Sequence, residues 1–146
     1  MRDYTKILAW QKADDLTVDI YNATKSFPKD EEYALTSQLR RAAYSVPANI
    51  AEGAARNSKK DYLHFLYIAR GSLSETRYFI HLSGRLGYLN SEKTTVLMSQ
   101  TDESLKVLAG LIRAVEAETG RVSQTLARVT SAVVLSLGLC GLRSMV

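Results

Sequence analysis

Six side chains between Tyr67 and Arg85 are spaced to contact phosphate and unpaired bases. Tyr67, Arg70, Ser74, Arg77, His81 and Arg85 follow one another at intervals of three or four residues, which places them along one face of an α-helix. Arginine binds phosphate oxygens two at a time, and a ring between arginines offers a stacking surface for a base. Tyr78 borders this face, and Lys59 and Lys60 extend its positive charge toward the helix start. The competing explanation is a solvated face on which each arginine pairs weakly with a carboxylate of a neighbouring helix.

A second constellation lies in the stretch from Tyr33 to Arg56. Gln38, Arg41, Ser45, Asn49, Glu52 and Arg56 fall on one narrow stripe of a helix at about 100° per residue. Beside it, Leu35, Leu39, Ala42, Val46 and Ile50 form an apolar face. Ala48, Ala51 and Ala55, with Tyr44, make a third face of mostly small residues. A helix needs one apolar face to dock on a domain, so the other two ask for further partners. The stripe either binds a polar ligand or partner, or forms a hydrogen-bonded network, with Glu75, that fixes how helices or protomers meet. The network is the stronger explanation, because a charge buried without a partner costs several kcal/mol. Arg41 and Glu52 are roughly 16 Å apart along one helix, so these two could pair only across an interface or through intermediates, and Glu75 is the other partner for Arg41. Small side chains let two helices approach closely, so the alanine face points the same way, to a surface where helices or protomers meet.

Residues suited to catalysis are not arranged for it. His64 and His81 are too far apart on one helix to share a metal, and the Glu-x-x-His pairs of a di-iron bundle are absent. Gly84-Arg85-Leu86-Gly87 is a helix end and not a phosphate-binding loop. Ser45 and Ser72 have no base in their own segments, and Cys140 has no activating neighbour. No catalytic residue, metal or cofactor is expected. One cysteine also excludes an internal disulfide, which suits a reducing, cytoplasmic setting.

The elements that must hold these faces are long helices. With 46% hydrophobic and 23% charged residues and only two prolines, the 146-residue chain has the composition of a helical globular domain. The net charge of +4 is unevenly spread. Residues 40–85 carry eight basic against three acidic side chains, whereas residues 1–39 and 86–120 are each net −2. Residues 121–146 carry three arginines and no acid.

Apolar spacing predicts a first helix from about Ile7 to Ser26, ended by Phe27-Pro28. The second is the Tyr33–Arg56 stretch, kinked at Pro47. The third, about Lys59 to Leu86, carries a core seam of Tyr62, Leu66, Ala69, Leu73, Thr76 and Ile80, with Ser58 or Asn57 as its cap and Gly87 as its stop. The fourth runs from about Glu92 to Glu118, capped by Ser91 and ended at Gly120, with Val96, Leu97, Leu105, Leu108, Leu111, Ile112 and Val115 inward. Short links between such helices predict an all-α, up-down-up-down antiparallel four-helix bundle over residues 1–120. Residues 121–146 form an extra C-terminal apolar tail: a fifth helix, an oligomer contact or an appendage. Its longest uncharged run is too short to span a membrane, and the polar start, Met1–Lys6, is unlike a signal peptide.

Trp10-Gln11-Lys12-Ala13, Tyr21, Phe27-Pro28, Gln38-Leu39-Arg40-Arg41-Ala42, Ser45-Val46-Pro47-Ala48-Asn49-Ile50-Ala51-Glu52-Gly53 and Ala69-Arg70-Gly71-Ser72-Leu73-Ser74-Glu75 together resemble a known family. It comprises four-helix-bundle proteins encoded in intervening sequences of bacterial 23S rRNA genes, and the accessory variability determinant of diversity-generating retroelements is a relative. The likeness covers roughly residues 4–118 and is most specific from Gln38 to Gly53. It implies a bacterial, cytoplasmic, non-enzymatic bundle that assembles into ring-like pentamers. The accessory proteins bind nucleic acid and a reverse transcriptase through a basic surface. The resemblance therefore implies RNA or DNA, and a reverse transcriptase, as partners. A protein-interaction scaffold with no nucleic-acid partner is the alternative.

Overall fold

The computed structural model describes residues 2–141, with side chains placed for residues 2–118. Four long helices make up the fold: α1 (Leu8–Ala23), α2 (Leu35–Ala55), α3 (Lys59–Arg85) and α4 (Ser91–Gly141). Short 3-10 turns at Tyr4–Lys6, Thr24–Ser26 and Lys29–Glu31 precede α1 and link it to α2. Among the described residues there is no strand. α1 packs on α2 and α4, and α3 packs on the same two helices.

Each helix is placed by its apolar seam. Leu16 and Ile20 of α1, Leu39, Val46 and Ile50 of α2, Tyr62, Leu66, Leu73 and Ile80 of α3, and Leu108 of α4 are fully buried. The predicted seams of α2 and α3 are all buried. Val96 is not: it is 51% exposed while the adjacent Leu97 is buried. Neighbouring positions differ by about 100° around a helix, and Leu97 takes the inward one. Three of the polar residues that reach the core turn their hydroxyls back onto their own helix. Thr76 donates to Ser72 O at 2.9 Å, Ser83 to Phe79 O at 2.7 Å and Thr101 to Leu97 O at 2.7 Å.

The helix ends follow from local chemistry. α1 gives way to a 3-10 turn before Phe27, whose extended φ/ψ of −68°/152° suits a residue preceding proline. Glu31 Oε2 accepts from Leu35 N at 3.2 Å at the start of α2, where the helix dipole favours an acid. Helix α2 then runs through Pro47 without interruption. Ser58 caps α3 by accepting from Asp61 N at 3.3 Å. At the other end Gly87, at φ 74°, lets Gly87 N and Tyr88 N reach Gly84 O and Ser83 O, at 3.1 and 3.0 Å. This is a Schellman closure. The cap of α4 is Asn90 and not the predicted Ser91, with Asn90 Oδ1 accepting from Lys93 N at 2.8 Å. α4 also does not stop at Gly120, since the helix continues to Gly141. A glycine inside a helix costs only about 1 kcal/mol and does not end it by itself. How the side chains of the predicted tail pack lies outside the described residues.

Candidate nucleic-acid interface

The face read from α3 exists as a surface. Tyr67, Arg70, Ser74, Arg77, His81 and Arg85 are all exposed, as is Lys60. Their spacing turns them away from the buried Leu66–Leu73–Ile80 seam. The Arg70 guanidinium lies 4.9 Å from the centre of the Tyr67 ring, a cation–π arrangement. Tyr78 is 58% exposed, and its ring leans on Phe79 at 5.5 Å.

Three side chains of this face and its extension are already engaged with α4. Arg77 Nε donates to Asp102 Oδ1 at 2.8 Å. The Tyr67 hydroxyl donates to Glu116 Oε1, and Lys59 Nζ lies 3.0 Å from Glu118 Oε2. The hydrogen bond to Asp102, and then its charge, make Arg77 hold its proton more tightly than usual. The bond to Glu116 likewise raises the Tyr67 phenol above its ordinary value. Among the described residues no carboxylate lies in ion-pair range of Lys60, Arg70, His81 or Arg85. Sequence spacing alone missed the three acids of α4. Their signal was the net charge of −2 over residues 86–120, set against the basic residues 40–85.

The polar stripe of α2 is spent partly on α3. Ser45 Oγ and Ser72 Oγ are 3.0 Å apart, and Asn49 Nδ2 donates to Ser45 O at 2.7 Å and to Ser45 Oγ at 3.0 Å. Arg41 reaches Glu75 at 3.9 Å, and both remain substantially exposed. Glu52 pairs within its own helix with Arg56. Gln38 points outward and is not part of this network. On the third face, Ala48 and Ala55 are exposed, Ala51 is half-buried, and Tyr44 is 47% exposed.

A groove of about 430 Å³ opens between the C-terminal half of α1 and the first turns of α4. Asp19, Ala23, Lys93, Val96 and Gln100 help line it. Gln100 Nε2 donates to Asp19 Oδ2 at 2.7 Å, and Gln100 Oε1 is buried without a partner among the described residues. Among the described residues, no three His, Cys, Asp or Glu side chains are grouped to hold a metal ion. No helix among them is long and apolar enough to cross a membrane.

Residues 5–110 match the family described as 23S rRNA-intervening sequence protein. The chain belongs to this family. It is also similar to a crystal structure, at 1.70 Å resolution, of a protein with unknown function from the S23 ribosomal protein family from Bacteroides thetaiotaomicron VPI-5482. The two share 27% identity and superpose with a TM-score of 0.67, over 72% of this chain and 98% of the Bacteroides protein. No curated protein matches the chain. The family and the neighbour agree with an all-helical fold.

Proposed function

We propose that this protein is a bacterial, cytoplasmic, self-associating bundle without catalytic activity that binds nucleic acid, RNA or an RNA–protein complex, along α3. The observation that carries the reading is the group of exposed cations on α3 with no acidic partner among the described residues: Arg70, Arg85 and Lys60, with His81 between them. Arg70 over Tyr67 adds a guanidinium and a ring at one point, the pair of chemistries that holds a phosphate and a base together. The family's description ties its members to 23S rRNA genes, and the sequence likeness adds pentameric assembly and a reverse transcriptase as the associated partners.

An up-down-up-down order places this face on one long side of the bundle. It is supported by partners that descend one helix as they climb the next: Lys59–Glu118 and Arg77–Asp102 for α3 and α4, and Thr17–Ala43 and Thr24–Arg40 for α1 with the 3-10 turn that follows it and α2.

Binding of structured and single-stranded RNA across a salt series tests the proposal. Neutralised phosphates release counterions, so affinity should fall steeply with salt. Arg70→Glu with Arg85→Glu should abolish binding while helicity stays intact. Undetectable or salt-insensitive binding refutes it.

A second reading is a scaffold whose partner surface is α2. The exposed Tyr44, Ala48 and Ala55 favour it, since they lie on a helix that already spends its apolar face on the core. Under this reading Ala51→Glu changes the mass measured by light scattering, and added RNA changes nothing.

A further inference from the structure

The α3 face meets α4 at three places, and at each an α4 carboxylate faces an α3 donor. Lys59 faces Glu118, Tyr67 faces Glu116 and Arg77 faces Asp102. A carboxylate offers a guanidinium the same two-oxygen edge that a phosphate does. We infer that Asp102 is a built-in substitute for a phosphate: it occupies Arg77 in the free protein, and a nucleic-acid strand gains Arg77 only by displacing it. This inference rests on the nucleic-acid reading above and supplies its regulation, namely how much of the basic face is available.

Three features make the exchange physically accessible. The Arg77 and Asp102 side chains are 46% and 47% exposed, so parting them opens no core. A pair this exposed is only weakly held in water. Arg70, about two turns before Arg77 on the same face, has no carboxylate in range among the described residues, so a strand can attach there first and compete for Arg77 afterwards. The adjacent acid on α4 provides a contrast. Glu103 pairs with Lys12 of α1 at 2.9 Å and so faces away from α3. Its removal changes the net charge by the same amount without uncovering a cation of the α3 face.

The full-length chain is titrated against a labelled, unstructured single-stranded RNA at several salt concentrations, with circular dichroism on each variant. Asp102→Asn should bind several-fold more tightly than wild type. Its plot of log affinity against log salt should steepen by about 0.7, the increment for one more phosphate on a single strand. In an Arg77→Gln background the same change should bring no gain, a coupling that an indiscriminate charge effect does not produce. Glu103→Gln should leave the salt slope unchanged. Asp102→Ala repeats the test should Asn disturb the fold. If wild type binds RNA but Asp102→Asn behaves like Glu103→Gln, or if the gain persists without Arg77, the inference is overturned and the nucleic-acid reading stands. If neither wild type nor Asp102→Asn binds, both are overturned. Binding by Asp102→Asn alone supports the inference.

Discussion

Ser45 and Ser72 bring their hydroxyls to 3.0 Å across the α2–α3 interface, and Asn49 closes the group through Ser45 O and Oγ. All three are half-buried. A neutral hydrogen bond in such a setting contributes about 1 kcal/mol. Ser72→Ala should therefore lower unfolding free energy by about 1 kcal/mol in urea. Ser45→Ala should cost a similar amount, and the double variant less than the sum, because both remove one contact. Strict additivity would mean the hydroxyls do not interact. The group is a clasp between helices, which argues against reading the stripe as a ligand site.

Thr36 presents the opposite case. Its residue is 5% exposed and its Oγ1 is buried with no partner among the described residues. Burying a hydroxyl without a partner costs about 1–3 kcal/mol. Thr36→Val keeps the branched shape and removes that cost, so the midpoint of thermal unfolding should rise. A fall in the midpoint would show that the hydroxyl is satisfied in solution.

These two sites show what periodicity can and cannot supply. Spacing identified the inward seams of α2 and α3, since burial repeats with the helix turn and Leu39, Ile50, Leu66 and Leu73 obey it. It likewise found the exposed face from Tyr67 to Arg85. Spacing within one helix does not encode the rotation of that helix against the next. The pairing of Arg77 with Asp102, of Tyr67 with Glu116 and of Ser45 with Ser72 was hidden for that reason. The start of α4 failed differently. Asn90 and Ser91 are both good caps, and spacing alone does not tell which of them meets the free backbone N–H, here Asn90 with Lys93 N.

Alkaline pH should loosen the fold through Tyr62. This residue is 1% exposed, and burial raises its phenol above the ordinary value of 10.0, with Arg2 beside the ring opposing the shift. The unfolded chain therefore gives up this proton first. Stability from the neutral phenol is complete below pH 10.0 and is lost as pH rises through the higher folded value. Tyr67 and Tyr88, raised chiefly by their bonds to Glu116 and Glu31, act with the same sign. Tyr62→Phe should flatten, without abolishing, the fall of melting temperature above pH 10.0. An unchanged slope in the variant would show that loss of the Tyr62 proton is not linked to unfolding.

Gly53 and Gly71 should respond to alanine with opposite signs. A Cβ on Gly53 would stand 2.8 Å from Phe65 Cβ and 2.9 Å from Tyr62 Cδ2. The first of these atoms is fixed to the α3 backbone, so relief requires α2 and α3 to separate where the chain has just turned from one to the other. Overpacking of this kind costs about 1–3 kcal/mol, which exceeds the gain of at most about 1 kcal/mol from alanine's helix preference. Gly71 lies inside α3, where an added methyl would meet nothing within 4 Å, and only the helix preference acts there. Gly53→Ala should therefore destabilise and Gly71→Ala should stabilise, by about 0.5–1 kcal/mol in the second case. Chemical denaturation of the two variants side by side checks the pair. If Gly53→Ala proved stabilising as well, the α2–α3 approach would have to be wider than the 2.8 Å contact requires. The clasp at Ser45 and Ser72, a little over two turns earlier on α2, would then be expected to lengthen with it.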